Sequence, residues 1–491
     1  MTQSTTNTYV PEAPEQQVAE FLCVDLDGTI LDGDSLWESL LALAGSRPWY
    51  LLFIPFWLIR GKAALKKEIA ERAGLNVSSL NYRPDVVAFL QQEKARGRKL
   101  ILATGADEGI ATRVAEHLGV FDVVLASDGK ANLTGTKKKQ AIEKLLGGEG
   151  FDYIGNSTKD LPIWKCAQGV LVAGASPGLV RELQKAFPVN TVFKGRKTQW
   201  PLLWRALRPH HWVKNLLVFV PLVMAHEFRD WSRVTQAILA FASFSFCASA
   251  LYVVNDLLDL EADRVHPTKR FRPFASGKIP LWAGFLIAPF MLASGLFTAV
   301  QLSSWVFFAE ICTYVLLTAF YSTNGKRLPI ADVILLTGLY LLRILAGGSA
   351  TRLLVSPWLL AFSMFLFLSL AFTKRHMELA GQALEGPGSR TSSKRNYRIE
   401  DIDLIRQFGV TSGYISVMVL SLYINSPQIT SLYRHPEMIW LALPLLLFWI
   451  SRVWLIANRG DLHEDPVVFA THDPVSYLLG FIILLILLVA T

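Results

Sequence analysis

Two groups of acidic residues in this chain are spaced for chemistry on phosphate. The first is Asp25-Leu26-Asp27-Gly28-Thr29, directly after the apolar run Phe21-Leu22-Cys23-Val24. Residues two apart on an extended chain point the same way, so both carboxylates face one spot. One could attack phosphorus while the other handles the leaving group's proton. The second is Asn255-Asp256-Leu257-Leu258-Asp259-Leu260-Glu261-Ala262-Asp263-Arg264, in which Asp256, Asp259 and Asp263 fall on one face of a helix. Three carboxylates facing together repel one another unless a cation intervenes. Hard oxygen ligands suit Mg²⁺, which bridges protein carboxylates and substrate phosphates. Lys269, Arg270 and Arg272 follow at once and, with Arg264, supply donors for phosphate oxygens. An ordinary charged membrane-exit helix explains the basic residues but not three aspartates beside a bilayer, where ionisable groups mark function.

The elements that carry these residues differ in kind. The chain has 491 residues, 52% of them hydrophobic and 18% charged, with a mean hydropathy of +0.34, which excludes a disordered chain. Apolar runs of membrane length fall mostly after residue 210. The net charge of +8 comes from basic residues beside apolar segments, which suits membrane topology and anionic substrates; no nucleic-acid motif appears. Cys23, Cys166, Cys247 and Cys312 lack metal-like pairing and read as reduced and buried.

Residues 1–20 read as a loose polar tail without the pattern of a signal peptide. Residues 21–193 read as soluble α/β. Short apolar runs (Phe21–Val24, Lys99–Ala103, Val123–Leu125, Gly169–Val172) alternate with helical patterns such as Arg83–Arg96 and Lys138–Leu146. This alternation predicts a parallel, doubly wound sheet. The segment 34–82 breaks the rhythm. Its apolar run Trp49–Ile59, followed by Arg60, Lys62, Lys66 and Lys67, is too short to span a bilayer. It reads either as a helical cap with an interfacial face or as a buried hairpin.

Further strand-end features join the first acidic pair: Thr104-Gly105, Lys138 opening a helix, and Asp152-Tyr153-Ile154 leading to Gly155-Asn156-Ser157 and Asp160. As a set over roughly residues 20–190, these resemble the haloacid dehalogenase-like phosphatase superfamily. The resemblance implies a Rossmann-like domain with a small helical cap. It makes Asp25 the nucleophile, Asp27 the general acid/base, Thr104 a phosphoryl ligand and Lys138 the charge-neutralising lysine. It also implies one Mg²⁺ held by Asp25, the Asp27 carbonyl and Asp160. Many relatives have Asp where this chain has Asn156. Three lysines run together at 137–139, and the Gly135-x-x-Lys spacing favours Lys138.

A basic linker at 194–210 leads to an all-α domain over 211–491. Nine segments there are candidate spans: 212–226, 234–254, 281–301, 304–321, 329–349, 356–373, 408–425, 437–456 and 474–490. With the soluble domain cytosolic, same-side loops carry fifteen basic residues, Arg390, Lys394 and Arg395 among them, against four in the opposite loops. This bias predicts a cytoplasmic-membrane protein with an outward C-terminus.

The stretch from Asn255 to Asp263, together with nine spans, resembles the UbiA-type intramembrane prenyltransferase superfamily over about 200–491. The family's second acidic motif is reduced here to Asp332, with Lys326 and Arg327 nearby. Arg208-Pro209-x-x-Trp212-x-Lys214-Asn215, Asn255 to Gly277, Tyr321 with Lys326, and Lys374-Arg375 look like the decaprenyl-phosphate phosphoribosyltransferase branch. That resemblance implies transfer of 5-phosphoribose from phosphoribosyl diphosphate to a polyprenyl phosphate. A second Mg²⁺ would lie on Asp256, Asp259 and Asp263, with Asp256 and Asp259 catalytic. Asn255, Arg264, Lys269, Arg270, Arg272, Tyr321, Lys326, Asp332, Lys374 and Arg375 would bind substrate. Lys214 would hold the lipid phosphate or act as an interfacial anchor, and Arg343 is a buried counter-ion or a site residue. The fusion implies that the soluble domain removes the 5-phosphate, leaving polyprenyl-phosphoryl-ribose. The alternatives are an aromatic prenyltransferase using a polyprenyl diphosphate, with an unrelated or regulatory phosphatase domain, and a non-catalytic scaffold or transporter. Oligomeric state stays open.

Overall fold

A computed structural model describes residues 19–195, 198–385, 396–426, 433–462 and 465–490. Most of the N-terminal tail, and Arg390, Lys394 and Arg395 of the loop-charge count, lie outside the described residues. The chain divides into two units: residues up to Gln199 with Leu257–Trp282, and Trp200–Asp256 with Ala283 onward.

The first unit is built on six parallel strands: β1 (Phe21–Val24), β2 (Lys99–Asp107), β3 (Val123–Ser127), β4 (Phe151–Gly155), β5 (Gly169–Ala173) and β6 (Val189–Phe193). Their spatial order is β3-β2-β1-β4-β5-β6. Helices cover both faces, so the central strands are apolar almost throughout. Leu22 and Val24 enter one core layer with Leu100 and Leu102. Cys23 enters the other with Ile101, Ala103 and Tyr153. This is the doubly wound sheet expected from the alternation, with β6 as a further strand at the edge. β1 ends where Asp25 begins; the Asp25 N–H still donates to the Ile154 carbonyl at 3.0 Å.

Between β1 and β2 lies the cap, with helices Ser35–Ser46, Ile54–Ile59 and Lys62–Ala73. Leu43, Trp57, Leu65, Ile69 and Ala73 give it a small core of its own. The apolar run is not a buried hairpin: Leu52 is 83% and Ile59 85% exposed.

In the described part of the second unit, seven helices are long and apolar enough to cross a membrane, from Trp231–Leu258 to Pro436–Arg459. The expected count of nine is not reached. The segment read as a first span forms a 3₁₀ series, Pro209–Phe219, and the short helix Val220–Met224. Pro221, inside the segment, lacks an N–H donor, and fifteen residues of helix would reach only about 22 Å against a hydrocarbon core of about 30 Å. The last apolar helix, Pro474–Ala490, has 17 residues. Gly347 sets the close packing of the 3₁₀ series on helix Ala331–Thr351, since a Cβ there would lie 2.1 Å from the Val218 carbonyl oxygen.

Of the four thiols, Cys23 and Cys247 are buried as expected. Cys312 is half-buried and Cys166 is exposed, because Cys166 follows the short helix Leu161–Trp164 at the domain surface.

Candidate active sites

The strand-end features of the first unit converge. After Asp25 the chain turns back sharply: the N–H groups of Thr29, Ile30 and Leu31 all donate to the Leu26 carbonyl. Gly28 makes this possible with φ +73°, and a Cβ there would also strike the Asn156 side-chain amide. Lys138, in helix Thr136–Leu146, is buried and donates to Asp25 Oδ1 at 2.8 Å. It also donates to the Tyr153 hydroxyl at 3.1 Å and lies 3.6 Å from Asp160 Oδ1. Among the three consecutive lysines, the structure therefore places Lys138 at the aspartates. Thr104 is fully buried, and its hydroxyl accepts the Ala106 N–H at 3.0 Å. Asp27 is held from the cap: Ser35 donates its N–H at 2.7 Å and its hydroxyl at 3.1 Å.

Asp160 is tied into the surrounding chain. Its Oδ1 accepts from Tyr153, and its Oδ2 accepts the N–H groups of Asn156 and Ser157 and the Ser157 hydroxyl. With both oxygens so engaged, it positions Tyr153 and the β4-end turn. Tyr153 itself was not singled out in the sequence. Its signal lay in the strand register: it pairs with Cys23, two residues before Asp25, and so points to the same face.

Burial raises the Asp25 pKa, with Lys138 opposing. Burial and the nearby Asp34 push Asp27 up to about 7, with the Ser35 bonds opposing. Burial works against the Lys138 ammonium, but Asp25 and Asp160 outweigh it and its pKa ends above the ordinary value. A stability effect follows for metal-free protein. Between the ordinary 3.8 and about 7, the folded chain keeps a proton on Asp27 that the unfolded chain has lost. Stability of the soluble domain is therefore expected to fall as pH rises through that window. Pulse proteolysis of the chelator-treated full chain across urea concentrations should show a lower midpoint at pH 8 than at pH 5, and Asp27→Asn should flatten the difference.

The second acidic group takes a different form. Helix Trp231–Leu258 ends just before Asp259, and a new helix, Leu260–Val265, follows it. Asp256 is buried and ion-paired with Arg208. Asp263 is paired with Arg272 at 2.6 Å, and burial raises its pKa against that arginine. Asp259, Lys269 and Lys326 also have partners. Arg270 lies over the Phe271 ring at 4.9 Å. The Arg264 guanidinium makes a two-pronged contact with Glu38 at 2.6 and 3.1 Å and donates to the Ser79 carbonyl.

Three further expected substrate ligands contact one another. Asp332 and Arg375 form a buried pair at 2.5 Å. Arg375 donates to the Tyr321 hydroxyl at 2.8 Å, and Tyr397 donates to Asp332 at 2.7 Å. Arg343 is a buried donor to Asn215, Tyr314 and the Leu339 carbonyl. Lys214 and Lys374, expected to serve two different phosphates, both donate to Asp465 Oδ2, at 2.8 and 3.0 Å. Burial alone would raise Asp465, but Lys374 and Lys214 hold it well below the carboxylate range. Both lysines and Asp465 line one small cavity with Tyr340.

The oxygen donors of Asp25 and the Asp27 backbone are hard and fit Mg²⁺, which is commonly held by one or two carboxylates and completed by substrate phosphate. The aspartates at 256, 259 and 263 are donors of the same kind. Among the described residues, no three His, Cys, Asp or Glu side chains converge as a complete metal cage.

Comparison with known proteins places both units. Residues 216–488 match the UbiA prenyltransferase family, and residues 22–165 match haloacid dehalogenase-like hydrolase. The chain belongs to the UbiA prenyltransferase family and carries a haloacid dehalogenase-like domain before the membrane helices; it is a multi-pass membrane protein. Both families are enzyme families that generally depend on Mg²⁺. The chain is 37% identical over 468 residues to an uncharacterized protein y4nM of Sinorhizobium fredii, covering 94% of this chain and 89% of that one. It is 33% identical over 289 residues to a decaprenyl-phosphate phosphoribosyltransferase of Mycolicibacterium smegmatis, covering 56% and 88%. It is 36% identical over 273 residues to nodulation protein NoeC of Azorhizobium caulinodans, covering 55% and 86%.

Proposed function

We propose that this chain transfers 5-phosphoribose from phosphoribosyl diphosphate to a polyprenyl phosphate, and that its soluble domain then removes the 5-phosphate. One observation carries the reading. The assembled Asp25–Lys138–Tyr153–Asp160 cluster sits in the same chain as a membrane domain similar, over most of its length, to a decaprenyl-phosphate phosphoribosyltransferase. The transfer product would bear a phosphomonoester, the substrate class of such a cluster.

In the transfer, a lipid phosphate oxygen attacks C1 of the ribose, the C1–O bond to diphosphate breaks, and diphosphate leaves. Asp256, Asp259 and Asp263 would hold Mg²⁺, which neutralises that leaving group when bound. Asn255, Lys269, Arg270, Arg272 and Lys326 supply further donors. In the second reaction, Asp25 attacks phosphorus while Asp27 gives a proton to the departing ribose oxygen. Water then cleaves the aspartyl-phosphate, with Asp27 taking its proton. Thr104 and Lys138 hold the phosphoryl oxygens. Placement in the cytoplasmic membrane, with the soluble domain inside and the C-terminus outside, belongs to the same proposal and rests on the loop charges.

The test is mass spectrometry of lipids from the full chain in nanodiscs with Mg²⁺, phosphoribosyl diphosphate and polyprenyl phosphate. Polyprenyl-phosphoryl-ribose is expected. Turnover only with a polyprenyl diphosphate and an aromatic acceptor would overturn the reading in favour of prenyl transfer. The shared Asp465 gives a second expectation. Lys214→Gln and Lys374→Gln should each raise KM for the same substrate, by roughly tenfold, the equivalent of about 1.4 kcal/mol. Separate titrations of polyprenyl phosphate and phosphoribosyl diphosphate check this; an effect on one substrate each would show two separate subsites.

A further inference from the structure

The cap carries an apolar face that its own core does not use. The 3₁₀ series Pro48–Phe53 runs into helix Ile54–Ile59. Tyr50, Leu51, Ile54 and Trp57 turn inward against Leu43, Leu65 and Ile69. Arg72 braces this inner side, with its guanidinium 5.4 Å from the ring centres of Tyr50 and Trp57. Trp49, Leu52, Phe53, Phe56 and Ile59 recur at the complementary helical spacing and are 50–85% exposed. The face is therefore ordered and presented by its own packing, not left over from a frayed segment. Exposed Arg60, Lys62 and Lys67 border it.

We propose that this face is a membrane-docking surface that seats the cap in the headgroup region of the bilayer that the chain's own helices span. Three observations choose a lipid surface over a protein. The segment is far shorter than a span yet apolar along one side, the pattern of a helix lying in the interface. Its border is cationic, complementary to anionic lipid headgroups. The chain is tethered to a bilayer, so that surface is present at high effective concentration. The other end of the cap reaches the chemistry. Ser35 holds Asp27, and Lys66 donates to the Gly105 carbonyl beside Thr104 at 2.5 Å. A docked cap would bring the phosphatase site to a phosphomonoester carried on a lipid, a consequence that rests on the proposed function, whereas docking itself does not.

Two measurements on the full chain in nanodiscs test this. A fluorophore on Leu52→Cys, in a background with the other reactive thiols replaced, should be quenched by nitroxide-labelled lipids at least severalfold more than one on Gly148→Cys, an exposed position outside the cap. Equal quenching overturns docking, as does cross-linking of Leu52→Cys between two copies without quenching. The triple variant Leu52→Ser, Phe56→Ser, Ile59→Ser should lose at least tenfold in hydrolysis of a polyprenyl-linked phosphomonoester while keeping its rate on p-nitrophenyl phosphate. Equal loss on both substrates would make the face a folding element and overturn the delivery role. If the intact protein hydrolyses p-nitrophenyl phosphate but no lipid-linked ester, the proposed function fails, and the quenching result still decides docking.

Discussion

Replacing Asp25 with Asn is expected to stop dephosphorylation while transfer continues, so that the lipid product accumulates with its 5-phosphate intact. The side chain keeps its size and its place at the end of β1, but an amide oxygen neither forms an aspartyl-phosphate nor balances Lys138. Loss of a nucleophile from a site whose residues act as a unit removes most of the rate enhancement, here at least about 10⁴-fold. Phosphate release and the mass of the lipid product report the two reactions separately. Unchanged release of phosphate would remove Asp25 from the chemistry and with it the link between the two halves of the chain.

The second large effect concerns stability. Asp332→Ala leaves the Arg375 guanidinium without its buried partner; the two side chains are 0% and 1% exposed. Removing one member of a buried pair typically costs about 3–5 kcal/mol; Glu378, 2.7 Å from Arg375 and 32% exposed, still compensates part of that charge and puts the expected loss toward the lower figure. The variant is expected to melt well below the unmodified protein in detergent or to fail to accumulate. Tyr397→Phe, which removes the hydrogen bond to Asp332 and the acceptor of the Ile330 N–H, should cost about 1–3 kcal/mol. If Asp332 acted only as a substrate ligand, the melting temperature would hold and KM alone would rise.

These two residues also show what could be read from the sequence. Asp25 was legible because strand alternation, a turn and a glycine act locally, and the partners that place it follow from strand order in a parallel sheet. The acidic repeat at 256–263 is legible as a local spacing, but the single helix that the spacing predicts is interrupted at Asp259. The pairing of Asp332 with Arg375 is not legible, since nothing local says that two charges 43 positions apart will meet. Asp465 gave no sign at all: its partner Lys214 is 251 positions away, and a loop aspartate looks like any other. The short first apolar segment, 212–226, reads as a span because hydropathy ignores backbone form: it folds as a 3₁₀ series and a short helix that Pro221 opens. The cap's apolar run was legible as an anomaly, but only packing shows which of its residues turn inward.

The uneven exposure of the four thiols gives this protein a built-in spectroscopic handle. Cys166 lies a few residues after Asp160, on the surface of the soluble domain, while Cys23 and Cys247 are enclosed. A maleimide dye should therefore label the native chain chiefly at Cys166, with half-buried Cys312 reacting more slowly. The β4-end turn could then be followed by emission changes during turnover without engineering a new residue.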